Sequence, residues 1–161
     1  MQNKRGISQS FGVVPGGRVV RPATVFDVFD MSRVLIRSIT QLCGADHGGD
    51  PDQIAAWTAN KTPDGVRQWF AGDHVLWVAE QDGQMCGVAA ASPAGEISVL
   101  YVDPSATGQG VGTALLQRVE AHLREAGFGD ASLKSTQTAR LFYLRQGWQQ
   151  AGDDLRMTKP L

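Results

Sequence analysis

The residues best placed to do chemistry begin with three glycines, Gly108, Gly110 and Gly112, at alternate positions within VDPSATGQGVGTALL. Before them, Glu96 to Val102 alternates as a strand. Strict alternation puts Ile97, Val99 and Tyr101 on one face and Glu96, Ser98, Leu100 and Val102 on the other. Asp103-Pro104 ends the strand, because proline cannot donate to a ladder and pushes the residue before it out of helical space. After the glycines, Val111, Leu115, Val119, Leu123 and Ala126 recur three or four apart, the spacing of a buried helix face. A strand that turns through glycines into a helix leaves unpaired N–H groups at the positive end of a helix dipole. That arrangement binds anions, phosphate above all. It is not the nucleotide P-loop, since no lysine follows the glycines. It is not the dinucleotide fingerprint either: counted from Gly108 the last position is Thr113, and from Gly110 it is Leu115. A plain strand–helix turn with tolerant glycines is the alternative.

Cys43 and His47 suggest a nucleophile or a metal pair, but a third orienting group or further ligands are lacking, and no metal is expected. Asp46, Asp50 and Asp52, with Asp64 nearby, could attract a cationic amine or could be a solvated acidic loop. His74 and His122 are isolated. Cys86, Trp57, Trp69, Trp77 and Trp148 fit core roles.

The elements that must position these groups follow in order. Residues 1–17 are rich in Gly, Ser, Gln and Asn without period and read as a flexible tail, leaving 18–161 as a single domain. Arg18 to Arg21 is a short strand ending at Pro22. Thr24 and Asp27 form a capping pair for a helix carrying Val28, Met31, Leu35, Ile39 and Leu42, with Gly44 as its C-cap. Ala45 to Asp50 reads as a loop. Asp50-Pro51 and Thr62-Pro63 open two further helices. Strands are expected over His74–Glu80 and Met85–Ala91 around an Asp82-Gly83 hairpin, then over Glu96–Val102 and Ala131–Ser135. A helix over Thr138–Arg145 and a last strand over Trp148–Met157 complete an α+β chain with a mixed sheet.

At 161 residues with 42% hydrophobic and 19% charged residues and a net charge of −1, the composition is that of an ordinary globular domain. It carries no electrostatic footprint for nucleic acid. No apolar run approaches membrane-spanning length and no signal-peptide core opens the chain. Two cysteines, too few for a disulfide framework, favour a reduced, cytoplasmic setting.

VDPSATGQGVGTALL resembles motif A of the GNAT N-acetyltransferase superfamily, Q/R-x-x-G-x-G/A, with Thr107 at its first position. ARLFYLRQGW resembles the closing signature of the same superfamily, A-x-x-F-Y-x-x-x-G-F, with Trp148 at its last. Thr136 stands where Asn is common. The resemblance implies a mostly antiparallel central sheet flanked by helices, its splayed central strands holding acetyl-CoA. It implies that Leu100 N–H polarises the thioester carbonyl and that Val102 pairs with the pantetheine amide. The backbone from Gln109 to Thr113 would hold the pyrophosphate. The full cofactor-binding set it implies is Leu100, Tyr101, Val102, Thr107, Gly108, Gln109, Gly110, Val111, Gly112, Thr113, Thr136, Ala139 and Phe142. Tyr143 matches the signature tyrosine and would be the general acid, since a phenol with a reference pKa of about 10 is protonated at neutral pH. Glu96 lies where histone acetyltransferases of the superfamily carry a glutamate base. The Cys43–Pro51 segment would wall the acceptor side. The expected reaction is direct transfer of an acetyl group from acetyl-CoA to an unidentified primary amine, with a homodimer left open. The rivals are a non-catalytic acyl-CoA sensor and a phosphate-binding regulatory module.

Overall fold

The computed structural model describes residues 13–14, 17–152 and 154–161. Its strands form one eight-stranded sheet in the order β1-β2-β3-β4-β5-β6-β8-β7. Strands β1 (Val13–Val14), β2 (Arg18–Pro22), β3 (Val75–Gln81), β4 (Gln84–Ala91) and β5 (Glu96–Val102) pair antiparallel in sequence order. Strand β6 (Asp130–Lys134) then joins β5 in parallel, and β8 (Arg156–Pro160) and β7 (Gln149–Gln150) close the far edge antiparallel. Most of the expected 1–17 tail lies outside the described residues. Val13–Val14 within it pairs with Val19 and Arg18.

Helices cover both faces. On one face, α1 (Val28–Leu42) and α4 (Pro63–Trp69) bury Met31, Val34, Leu35 and Val66 against Val78, Val88 and Ala90. On the other, α5 (Val111–Glu125) lays Leu115, Leu116, Val119 and Leu123 on Trp77, Ala79 and Ala89. Each such side chain contributes roughly 1.5–3 kcal/mol of burial. Gly87 makes the second packing close: a Cβ there would stand 2.6 Å from Leu115 Cδ1 and 2.9 Å from Val111 Cγ1. The missing side chain draws the start of α5 onto the sheet beside β5.

The sequence signals set most boundaries. Thr24 N–H donates to Asp27 Oδ2 at 2.7 Å, and Arg21 clamps the same carboxylate through both guanidinium nitrogens at 2.8 Å. The Arg21 bonds hold the Asp27 carboxyl below its usual range against the opposing effect of burial. Asp50 and Thr62 cap α3 (Pro51–Thr58) and α4 by accepting from Asp52 N and Gly65 N. Asp82 and Gly83, with φ of 52° and 77°, form the hairpin turn whose twist matches its strands.

Three expectations are corrected. Gly44 is not a C-cap: α1 ends at Cys43, and Gly44 opens a single helical turn, α2 (Gly44–His47), closed by left-handed Gly48. The expected Ala45–Asp50 loop is therefore helical at its start. Trp148–Met157 is not one strand, because the chain turns back between β7 and β8, which pair with each other. Finally, the alternation in β5 is broken. Its pairing with β4 shifts between Ala90 and Ala91, opposite Val99 and Ile97, so Ser98 is an extra residue. The bulge turns Ile97 to the α5 face with Leu100 and Val102, while Val99 and Tyr101 pack toward α1. The pleat then places Glu96 on the face opposite Ile97, not with Leu100 and Val102 as strict alternation implied.

Candidate active site

β5 and β6 part almost at once. They share only the pairs Glu96↔Ser132 and Ile97↔Leu133, while β5 runs on to Val102. The edge of β5 from Ser98 to Val102 therefore has no strand beside it, and its ladder groups face a gap. A cavity of about 470 Å³ fills that gap and reaches from the glycine loop to the C-terminal turn of α1.

At one end, Asp103 fixes the exit from β5. It accepts from Ser105 N at 3.0 Å, Ser105 Oγ at 2.6 Å and Arg37 Nε at 2.9 Å. Burial pushes its carboxyl up, but the bonds from Arg37 and Ser105 outweigh that and hold it below the usual range. The chain makes one tight turn over Pro104–Ala106 and then passes Gly108 and Gly110, at φ of 72° and 83°. These left-handed positions suit glycine alone among common residues. The first helical bond of α5 runs from Ala114 N to Gly110 O at 3.0 Å. The N–H groups of Val111, Gly112 and Thr113 thus have no helical acceptor and sit at the positive end of a fifteen-residue helix. Gln146 Nε2 donates to Thr113 Oγ1 at 3.1 Å and ties this helix start to α6 (Arg140–Arg145).

In the middle stands Tyr143 of α6, 6% exposed and wedged edge-on between Phe142 and Trp148. Burial, with the nearby Tyr101 phenol adding to it, pushes its pKa well above the ordinary tyrosine value, so the phenol is protonated throughout the neutral range. Thr136 Oγ1 accepts from Ala139 N at 3.0 Å and starts the turn that leads into α6.

At the far end are Ser38, Leu42 and Cys43 of the α1 terminus, with Tyr101. Burial, joined by Cys43, pushes the Tyr101 phenol up to about 12. Burial and the Asp46 charge push the Cys43 thiol up to about 11, which keeps it protonated and a poor nucleophile. His47 faces inward: Gly49 N–H donates to Nδ1 at 3.0 Å, and Nε2 therefore carries the proton and donates to Ile39 O at 2.8 Å. Cys43 and His47 do not form a catalytic pair. Asp46 is occupied too. Its carboxylate accepts from Gln137 N at 2.6 Å, Thr138 N at 3.2 Å and Thr138 Oγ1 at 2.7 Å, bracing the segment before α6.

Leu100, Tyr101, Val102, Thr107, Gly108, Gly110, Val111, Gly112, Thr113, Thr136, Ala139, Phe142 and Tyr143 all line the one cavity. Gln109 does not; its side-chain Nε2 donates to Ser105 O at 3.4 Å. Glu96 does not either, being exposed at the start of β5. Sequence reasoning missed Ser38, Leu42 and Lys134, the last being the only charged residue among those lining the cavity. The α1 periodicity named Leu42 as core, and nothing local marks Lys134. No cluster of three metal-ligating side chains occurs among the described residues. No helix among them is long and apolar enough to cross a membrane.

Comparison with known proteins agrees with this geometry. No relative is found among curated proteins. A GCN5-related N-acetyltransferase from Rhodopseudomonas palustris superposes with a TM-score of 0.80 at 25% identity, over 93% of this chain and 99% of that one. The PaiA N-acetyltransferase from Thermoplasma acidophilum, solved with coenzyme A, gives 0.73 at 20% identity over 89% and 99%. A GNAT family acetyltransferase from Brucella melitensis, solved with acetyl-CoA, gives 0.65 at 20% identity over 91% and 89%. The sequence model described as the acetyltransferase (GNAT) domain matches residues 46–158, and the chain belongs to that family.

Proposed function

We propose that this protein transfers the acetyl group of acetyl-CoA directly to the nitrogen of a primary amine. The observation that carries the reading is the free edge of β5 from Ser98 to Val102, which opens into a cavity running from the glycine loop past Tyr143. An extended pantetheine arm can pair with such an edge as a strand would. The N–H groups at the start of α5 are then in place for the pyrophosphate. The thioester lies near Leu100, whose N–H polarises its carbonyl oxygen as charge develops there. The amine nitrogen attacks the carbonyl carbon, the carbon–sulfur bond breaks, and the departing thiolate takes the Tyr143 proton. The new amide nitrogen gives up a proton. Glu96 takes it through water, since its carboxylate lies outside the cavity lining at the exposed start of β5. A pH profile of kcat/KM for wild type and Glu96→Gln decides this point, superimposable curves ruling Glu96 out.

The lining shapes the choice of acceptor. It carries hydroxyls, apolar groups and Lys134, and no carboxylate. A compact amine of low positive charge fits it better than a polycation. Thiol release from acetyl-CoA, followed with a panel of primary amines, tests the reading. Amine-dependent release is expected; binding without release under any amine would make the protein a sensor instead.

A further inference from the structure

Arg18 sits in β2 at 6% exposure and is not among the residues lining the cavity. Its Nη2 donates to the backbone carbonyl of Gln109. Its Nη1 lies 3.2 Å from the point where a Cβ on Gly110 would stand. Its Nε is buried without a partner. None of the ion pairs among the described residues includes Arg18. A guanidinium is always charged, and a buried charge without a counter-ion is costly. The loop itself is neutral, since Thr107, Gly108, Gln109 and Gly110 carry no cation.

We propose that Arg18 is a positioning residue for the phosphate-bearing end of the acyl donor, and that the donor's pyrophosphate is the counter-ion its buried charge lacks. This rests on the acetyl-CoA reading above. By holding the Gln109 carbonyl, Arg18 fixes the peptide plane between Gln109 and Gly110. The N–H groups that follow then turn toward the cavity. Its charge also adds to the α5 dipole through one layer of backbone, where little water screens it. A β2 side chain thus gives the neutral glycine loop a cation, without touching the ligand.

The test uses the full chain, with CoA and with pantetheine, which lacks the pyrophosphate. Arg18→Met should raise the Kd for CoA about ten- to a hundredfold, the scale of one charge-assisted hydrogen bond. The Kd for pantetheine should stay within about twofold of wild type on the same reasoning. Arg18→Lys should recover part of the CoA affinity. Arg18→Gln keeps a donor for the Gln109 carbonyl without the charge; it should show the same selective loss and keeps the test open if the methionine variant unfolds. Equal losses for CoA and pantetheine would make Arg18 a purely structural residue and overturn the proposal, as would unchanged CoA affinity. Wild-type protein that binds no CoA would overturn both this inference and the reading beneath it.

Discussion

The indole N–H of Trp148 donates to Glu120 Oε1 at 2.9 Å, joining the end of α6 to the buried middle of α5. Lys159 Nζ completes the carboxylate's partners at 3.0 and 3.2 Å and also donates to Gln146 O at 2.9 Å. Trp148 stands where the related signature ends in phenylalanine, and a phenyl ring could not make this bond. The same indole lies edge-on to Tyr143, at 5.9 Å between ring centroids. Glu120 thus helps to hold the phenol through Trp148. Trp148→Phe should cost about 2 kcal/mol, the scale of a hydrogen bond to a charged group, and lower Tm by about 4–8 °C. Calorimetry on the purified variant checks this, and an unchanged Tm would mean that Lys159 alone satisfies Glu120.

Asp46 separates a structural from a chemical reading with one substitution. Its Oδ1 accepts from Gln137 N–H and its Oδ2 from Thr138 N–H and Oγ1, and asparagine, with a single acceptor oxygen, keeps only part of this cap. Asp46→Asn should therefore lose part of the brace, and slow turnover no more than Asp46→Ala does. Asp46→Ala should lose about 1 kcal/mol, typical for a removed cap, and slow turnover by loosening the approach to Tyr143. Loss of the ascending limb of the pH–rate profile in a folded Asp46→Asn variant would instead give this carboxylate a part in proton transfer.

Much of this site is legible in the chain, and the reason is local. Prolines at 22, 51, 63 and 104 and the glycine run at 108–112 punctuate backbone conformation wherever they occur. The helix faces of α1 and α5 follow from period alone. What escaped depends on partners far apart in sequence. The Ser98 bulge has no residue signal, because it is set by register against β4, and it changes which face Glu96 shares. Asp46 reads as an acidic loop residue until Gln137, 91 positions away, comes beside it. Arg18 reaches Gln109 across a separation of the same length. Gly87 looks like an ordinary strand glycine until α5 packs on it.

Tyr143 gives a prediction in pH as well as rate. Tyr143→Phe should lower kcat about ten- to a thousandfold with CoA affinity nearly intact, as loss of a proton donor does. Burial raises the folded pKa, and the acid works only while protonated. Any alkaline fall in rate from this residue should therefore lie above the ordinary tyrosine value of about 10. Rate profiles from pH 6 to 10 under saturating donor check this. A Tyr143-dependent fall below pH 9 would contradict the buried environment described here.

The central claim is that the glycine loop and the start of α5 hold the phosphates of acetyl-CoA, and calorimetric titration with CoA tests it most directly. Gly110 has a φ of 83° and caps α5, and a Cβ there would stand 3.2 Å from Arg18 Nη1, so Gly110→Asp strains the loop that shapes the phosphate site and sets a carboxylate against Arg18 in place of the phosphate. Wild type should bind CoA one to one, and the variant, checked for an intact fold by its circular dichroism and cooperative melt, should show no measurable binding. A folded Gly110→Asp protein with wild-type CoA affinity would contradict the account.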